Sequence, residues 1–132
     1  MIVLDTTVII HFLKNNKSAV EKLASLNRES IKTTRLNVFE VLVGIYLKEA
    51  EGRRNEIDIF NEFLESVEIL ELDEKSSHVA ARLKAELDKK GTTVHSNDVL
   101  IAAIALANGE NKIVTQNAKD FAKISGILVE NY

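Results

Sequence analysis

The chain alternates between short apolar runs and longer stretches with helical periodicity. The short runs are typical of strands that are buried on both faces. The pattern predicts strands at Ile2–Leu4, Ile31–Thr34, Val67–Leu72, Lys112–Thr115 and Ile127–Val129. Because helical patterns separate these runs, we expect crossover connections, and hence a mostly parallel five-stranded sheet with helices on both sides.

Helices are indicated where apolar residues recur at intervals of three and four. Such stripes are formed by Phe39, Leu42, Val43, Tyr46 and Leu47, by Ile57, Phe60, Phe63 and Leu64, and by Val79, Ala80, Leu83 and Leu87. The segment from Val99 to Ala107 is apolar all round, which predicts a helix buried on most faces. Gly91 and Gly109 stand where helix C-caps are expected. Together the elements predict a single domain over residues 1–132.

Composition excludes several classes of protein. The 132 residues are 45% hydrophobic and 28% charged, as in a globular domain and unlike a disordered chain. The absence of Cys excludes disulfide frameworks, Cys-ligated zinc and iron–sulfur clusters. Asp5 interrupts the hydrophobic N-terminus, and the longest apolar run is far shorter than the roughly 20 residues of a membrane helix. We therefore expect a cytoplasmic protein with no signal peptide and no membrane segment.

The charge pattern argues against a protein that coats nucleic acid. The net charge is −3, and the basic residues are scattered rather than clustered. An enzyme that binds a short stretch of RNA or DNA is still compatible with this pattern. Candidate phosphate contacts are Lys14, Arg28, Arg35, Lys119 and Lys123.

Acidic residues follow or face the carboxyl ends of the predicted strands, where parallel sheets bind ligands. Asp5 follows the first strand, although capping of the next helix explains it equally well. Glu40 lies beside an apolar stripe with no base three or four positions away, which favours a role outside its own helix. Asp98 opens the apolar helix, where it also complements the helix dipole. Asn117 and Asp120 follow the fourth strand with the spacing of a capping box, which by itself explains both.

If these acids lie close together, their mutual repulsion favours the binding of a cation among them. Two unit charges about 4 Å apart repel by about 4 kcal/mol at an effective dielectric near 20, so bare carboxylates either stay protonated or bind a positive ion. A pocket of oxygen ligands favours Mg²⁺ or Mn²⁺. A site of this kind suits phosphodiester hydrolysis.

Other chemistries have little support. The glycines stand apart, so neither a dinucleotide-binding motif nor a P-loop is present. His11, His78 and His95 have no ligand spacing, and we expect them to be structural, with His95 the one to follow because it lies near Asp98. A receiver-type phosphoacceptor would carry paired acids after the first strand, where Asp5 stands alone.

Four segments, in order, resemble the PIN-domain ribonucleases, specifically the VapC type of toxin in toxin–antitoxin pairs. They are IVLDTTVII at residues 2–10, NVFEVLVG at 37–44, NDVLIAAIA at 97–105 and IVTQNAKDF at 113–121. Each motif is weak alone, but together they extend over nearly the whole chain. The resemblance implies a three-layer α/β/α sandwich around a parallel five-stranded sheet, in agreement with the hydrophobic pattern.

The resemblance also implies a metal-dependent endoribonuclease. Asp5 and Asp98 would be the main Mg²⁺ ligands, with Mn²⁺ as a substitute, and Glu40 would complete the pocket. Asp120 would act through water, and Asn117 would hold the pocket together. Toxins of this type form homodimers, act on RNA and are silenced by a VapB-like antitoxin whose C-terminal segment fills the acidic groove. The hydroxyl of Thr7 is a further candidate, for a ligand water.

Two departures and one alternative stay open. His11 stands where the family often has an acid, and Asn117 stands where many members have Asp, which leaves a second metal ion in question. The alternative is a non-catalytic PIN-like module that binds RNA or protein.

The helices between Leu36 and Ser66 are also rich in bulky apolar groups, which form either core or a groove for an antitoxin helix. These groups are Tyr46, Ile57, Phe60, Phe63 and Leu64.

Overall fold

A computed structural model describes residues 2–27 and 30–132. In this part of the chain the strands are β1 (Ile2–Leu4), β2 (Ile31–Thr34), β3 (Glu68–Leu70), β4 (Lys112–Val114) and β5 (Leu128–Glu130). The helices are α1 (Thr6–Leu13), α2 (Lys17–Ser25), α3 (Arg35–Tyr46), α4 (Arg53–Leu64), α5 (Glu74–Lys89), α6 (Ser96–Ala107) and α7 (Ala118–Phe121). All five predicted strands are confirmed, and their ends differ from the predictions by no more than two residues.

The five strands form one sheet in the order β3-β2-β1-β4-β5, and every neighbouring pair is parallel. The chain moves outward from β1 through β2 to β3 and then returns to the other side of β1 through β4. The strand order therefore reverses between β1 and β4. In open parallel sheets this reversal leaves a crevice at the carboxyl ends of the strands, where ligands bind.

Two apolar cores lie on opposite faces of the sheet. Val3 points into the core that contains α5, α6 and α7. Its neighbours Ile2 and Leu4 point into the core that contains α1, α2, α3 and α4. This alternation along β1 confirms the three-layer α/β/α architecture. The segment Ile101–Ala105 of α6 is fully buried, as its all-round apolar sequence predicts.

Helix α3 turns a different face to the core from the one that the hydrophobic stripe suggests. Its buried apolar residues are Val38, Val41 and Ile45. Most of the predicted stripe is exposed instead: Phe39 56%, Val43 41%, Tyr46 57% and Leu47 82%. The helix is apolar on two faces, so periodicity predicts the helix without identifying which face the sheet covers. We call these four exposed residues the outer α3 patch.

The aromatic residues of α4 belong to the core. Phe60 is fully buried, and its ring stacks on Phe63 with 6.5 Å between centroids. Phe12 of α1 contacts the other side of Phe63 at 5.5 Å. Ile57, Phe63 and Leu64 are partly buried against the same core. The sequence left open whether the bulky apolar residues between Leu36 and Ser66 form core or a groove. Ile57, Phe60, Phe63 and Leu64 belong to the core, whereas Tyr46 does not.

The amino-terminal edge of the sheet holds a buried ion pair. Lys32 of β2 places its Nζ 3.0 Å from Oε1 of Glu110 and 3.2 Å from Oε2 of Glu68. Only 14% of the Lys32 side chain and 4% of the Glu110 side chain are exposed.

Gly91 and Gly109 follow α5 and α6 with positive φ, which confirms the predicted C-caps. No described helix is both long and apolar enough to cross a membrane.

Candidate active site

The sequence-predicted site residues gather at the carboxyl edge of the sheet. Asp5 directly follows β1, and Glu40 lies on the second turn of α3. Asp98 occupies the first turn of α6, and Asn117 and Asp120 lie at the start of α7, just after β4. Asp5, Glu40 and Asp120 are all close enough to affect the ionisation of Asp98. The reversal of strand order thus brings acids from distant parts of the chain to one place.

Asp5 is the most buried of these acids, with 4% of its surface exposed. It stands at the N-cap position of α1 but forms no side-chain capping hydrogen bond, so capping does not account for its carboxylate. Instead, Oδ1 accepts a hydrogen bond from Nδ2 of Asn37 at 3.0 Å, and Oδ2 accepts one from Oγ1 of Thr115 at 2.6 Å. Burial raises the pKa of Asp5 above its usual value, although these hydrogen bonds oppose the change.

Glu40 is held by neutral groups from two other helices. The hydroxyl of Thr6 on α1 donates to Oε1 at 2.6 Å, and Nδ2 of Asn97 on α6 lies 3.4 Å from Oε2. The sequence favours a role outside the helix of Glu40, and these contacts agree. Glu40 therefore joins α1, α3 and α6 at the edge of the site.

Asp98 and Asn117 are joined directly. Nδ2 of Asn117 donates to Oδ2 of Asp98 at 2.9 Å, so the amide does not cap α7, although Asn117 stands at the N-cap position. The structure therefore contradicts the capping-box explanation of this residue. The backbone N–H of Asn117 donates to Oγ1 of Thr115 at 2.8 Å, and Thr115 in turn donates to Asp5. A continuous chain of hydrogen bonds connects Asp5 to Asp98.

The pKa of Asp98 is raised from 3.8 to about 6. Burial is the largest cause, followed by the negative charges of Asp5, Glu40 and Asp120, while His95 acts weakly in the opposite direction. Asp120 lies at the rim, where Lys123 approaches its carboxylate to 3.6 Å. The ionised form of Asp98, at the centre of the cluster, is therefore energetically unfavourable in the folded protein.

Three residues of the site were not singled out from the sequence. Asn37, Thr6 and Thr115 supply hydroxyl and amide donors to Asp5 and Glu40. Thr7, which the resemblance suggests as the holder of a ligand water, accepts a hydrogen bond at Oγ1 from the backbone N–H of Gln116 at 3.4 Å. The spacing of Asn37 three residues after Thr34 signals only a helix cap, which forms, and not its contact with Asp5.

The donor set suits a hard divalent cation in charge and chemistry. In residues 2–27 and 30–132, Asp5, Glu40 and Asp98 form no ion pair with Lys or Arg. Over the same residues, no three His, Asp or Glu side chains lie close enough for a ready-made metal site. Mg²⁺ is commonly held by one or two carboxylates together with water, so Asp5 and Asp98 are sufficient in number. The two oxygens of Asp5 offer about four acceptor positions, and the donors from Asn37, Thr115 and the backbone of Thr6 leave at least one of them free.

An apolar groove runs away from the acids between α1, α3 and α4. Ile10, Leu13, Val41, Ile45 and Ile59 line its walls, with Lys14, Lys48 and Glu56 among the residues around it. Gly44 lies in the groove, and a Cβ added there would meet nothing within 4 Å. Glu40 precedes Gly44 by one helical turn on α3 but does not itself line the groove.

The candidate phosphate contacts are dispersed. Arg35 forms a bidentate ion pair with Glu71 at 2.9 and 2.7 Å, and Lys123 approaches Asp120. Lys119 is exposed at the start of α7, close to the acids along the chain. Arg28 lies outside the described residues. No continuous basic path emerges from the residues that the structure describes.

Comparison with known proteins gives consistent results. The PIN domain family model matches residues 2–127. Ribonuclease VapC2 of Rickettsia felis is 29% identical over 134 residues, which cover 98% of this chain and 96% of that protein. The tRNA(fMet)-specific endonuclease VapC of Salmonella typhimurium is 29% identical over 129 residues, with the same coverage.

Solved structures agree with these sequence matches. VapBC2 from Rickettsia felis, bound to a DNA fragment from their promoter, aligns with a TM-score of 0.87 and 26% identity over 100% of this chain and 99% of that chain. DNA-bound VapBC from Salmonella typhimurium aligns with a TM-score of 0.86 and 26% identity over 98% and 96% of the two chains.

Proposed function

The chain belongs to the PIN-domain family, and from this premise we propose that it is a VapC-type endoribonuclease, the toxin of a toxin–antitoxin pair in the cytoplasm. The reaction is hydrolysis of RNA phosphodiester bonds at the cluster of Asp5, Glu40 and Asp98. One observation carries the proposal: the carboxylates of Asp5, Glu40 and Asp98 come from separate parts of the chain, are held by neutral donors near the reversal of strand order, and lie close enough for the charges of Asp5 and Glu40 to raise the pKa of Asp98. Such a concentration of negative charge opposes folding unless it serves a cation.

Asp5 and Asp98 would hold Mg²⁺ or Mn²⁺, with Glu40 completing the pocket. When bound, the cation supplies a Lewis acid and offsets the charge of the phosphate. Asn117 orients the carboxylate of Asp98 through its 2.9 Å hydrogen bond, and Thr115 orients that of Asp5. Asp120 acts at the rim, through water. The raised pKa of Asp98 supports this assignment, because a bound cation would offset both causes of the shift, the burial of the carboxylate and its repulsion by the neighbouring acids.

The test is cleavage of a labelled RNA mixture by the purified protein, with Mg²⁺ or Mn²⁺ and with EDTA. We expect cleavage that requires the metal and is lost in Asp98→Asn. Asp88→Asn is the matched control, because Asp88 is exposed on α5 and its carboxylate pairs with Lys84. Full activity in a folded Asp98→Asn variant would contradict the proposal.

We propose that the VapB-like antitoxin inhibits the enzyme by binding the groove between α1, α3 and α4. Apolar walls and a glycine in the groove suit an apolar helix of a partner. The similarity to solved VapBC assemblies supports an antitoxin as that partner. Gly44→Leu places an apolar side chain in the groove, and its Cβ meets nothing within 4 Å. We expect this variant to cleave RNA as the wild type does but to escape inhibition by the co-expressed antitoxin; unchanged inhibition would exclude the groove.

One observation favours the alternative of a non-catalytic RNA- or protein-binding module. In the described residues no three potential ligands are pre-arranged around a metal position, and Asn117 stands where a further acid is common. The cleavage experiment separates the two functions. A folded protein that neither cleaves RNA nor binds Mn²⁺ would be a binding module.

A further inference from the structure

Asn37 is a buried amide whose hydrogen-bonding capacity is fully used. None of its surface is exposed. Its Nδ2 donates to Oδ1 of Asp5 and to Oγ1 of Thr6, both at 3.0 Å. Its Oδ1 accepts from the backbone N–H of Thr34 at 3.2 Å and from the Thr34 hydroxyl at 2.7 Å. Two donors and two acceptor positions are all that an amide side chain offers.

These contacts fix the direction of every hydrogen bond in the group. Because Thr34 presents a backbone N–H to Oδ1 of Asn37, the amide nitrogen must face Asp5 and Thr6. The Thr6 hydroxyl then accepts from Asn37, and its single proton goes to Oε1 of Glu40 at 2.6 Å. One buried side chain therefore serves Asp5 directly and Glu40 through Thr6.

We infer that Asn37 is a positioning residue, which holds Asp5 directly and Glu40 through Thr6 in one fixed arrangement for a divalent cation. This inference rests on the proposed function and deepens it. The two carboxylates repel each other, and their backbones belong to separate elements, β1 and α3. Partners that orient metal ligands in this way typically account for about 10–100-fold in metal affinity.

A capping role does not explain the same contacts. Asn37 and Thr34 form the capping box of α3, and that box uses Oδ1 and the backbone N–H of Asn37. The two hydrogen bonds from Nδ2 are not part of it. Thr6 takes no part in the box either, so a change at Thr6 breaks the path to Glu40 and leaves the cap intact.

The experiment measures Mn²⁺ binding by calorimetry, using the metal alone as the probe. Thr6→Val removes the hydroxyl at nearly constant volume, and Thr6→Ser retains the hydroxyl as the matched control. We expect Thr6→Val to bind Mn²⁺ about 10–100-fold more weakly and Thr6→Ser to bind as the wild type does. Asn37→Leu removes the hydrogen bonds to both Asp5 and Thr6 and should weaken Mn²⁺ binding further. The double variant Asn37→Leu, Thr6→Val should bind Mn²⁺ little more weakly than Asn37→Leu alone.

The outcomes separate this inference from the proposed function. Wild-type affinity in folded Thr6→Val overturns the inference, and so does equal weakening by Thr6→Ser. If Asn37→Leu fails to fold, the Mn²⁺ affinity of Thr6→Val, compared with that of Thr6→Ser, tests the inference without it. If the wild type binds Mn²⁺ but does not cleave RNA, the nuclease proposal fails, while the variants still test the positioning role. A wild type that binds no Mn²⁺ overturns both.

Discussion

The side chain of Asp98 is placed where its surroundings oppose its own negative charge. Burial and three nearby carboxylates raise its pKa to about 6. A carboxyl group with a raised pKa in the folded state binds its proton more tightly there than in the unfolded chain. Its contribution to stability is therefore complete below the unfolded value near 3.8 and is lost as the pH rises through about 6. In metal-free protein, ionised Asp98 weakens the fold.

Asp98→Asn should consequently stabilise the metal-free protein at neutral pH. In EDTA at pH 7.5 we expect the free energy of unfolding to rise by about 1–3 kcal/mol, the range given by a shift of roughly two pKa units after allowance for solvent screening. The difference should disappear near pH 4, where the wild-type side chain is protonated. Urea unfolding of both proteins across this pH range measures it. A difference that is independent of pH would rule out the ionisation as the cause.

Addition of Mn²⁺ should reverse the order of stability. A ligand that binds only the folded state raises the free energy of unfolding by RT ln(1 + [L]/Kd), so a site with higher affinity gains more stability at the same metal concentration. We expect wild-type protein to gain stability from Mn²⁺ and Asp98→Asn to gain much less, as followed by thermal unfolding. Asp88→Asn should gain as much as the wild type. An equal gain in Asp98→Asn would remove Asp98 from the metal ligands.

The sequence predicts charged residues of the site better than neutral ones. Asp5, Glu40 and Asp98 are conspicuous because a carboxylate among apolar neighbours needs an explanation. Thr115 and Asn37 are common kinds of residue at the end of a strand or the start of a helix, so their local sequence gives no reason to place them in a site. Only the three-dimensional contacts show that each donates to Asp5.

Among the elements, strands that are buried on both faces are the easiest to predict. β1 has core on either side, so its residues must be apolar whatever their direction. Helix α3 is harder, since apolar residues occur on two of its faces and the capping box at Thr34 and Asn37 helps to set which one meets the sheet. Helix α2 was not predicted, because only Ala19 and Leu23 are buried among its otherwise exposed or polar residues.

The buried ion pair between Lys32 of β2 and Glu110, at the amino-terminal edge of the sheet, allows a prediction about stability rather than activity. Glu110→Ala leaves the Lys32 ammonium with only the more exposed Glu68, and we expect a loss of about 3 kcal/mol in the free energy of unfolding. The exposed pair between Lys84 and Asp88 is the control, for which Asp88→Ala should cost less than about 1 kcal/mol. Urea unfolding compares them, and equal losses would contradict the difference in burial. Below its unfolding temperature, Glu110→Ala should still cleave RNA, because the pair lies far from the acids.

At the scale of the whole molecule, the outer α3 patch is an apolar surface of the kind that assemblies cover. The homodimer implied by the resemblance remains a proposal, and we assign this patch to the contact between the two copies. The double variant Val43→Glu and Leu47→Glu places like charges in that contact. We expect light scattering to give twice 14.7 kDa for the wild type and 14.7 kDa for the variant. Leu128→Glu changes an equally exposed residue on β5 and should remain dimeric; a double variant that also remains dimeric would place the contact elsewhere.

The hydrogen bond from Thr115 to Asp5 joins residues that are 110 positions apart. On the ribosome, Asp5 and Glu40 are made early, whereas Thr115, which directly follows β4, is made only after β2, β3 and the helices around them. Until β4 inserts beside β1, Asp98 has no Asn117 to orient it and Asp5 lacks one of its two side-chain donors. A nascent chain therefore carries an incomplete pocket until Thr115 and Asn117 have been made and β4 has paired with β1. Order of synthesis thus delays completion of the pocket until the segment that carries Thr115 and Asn117 is in place.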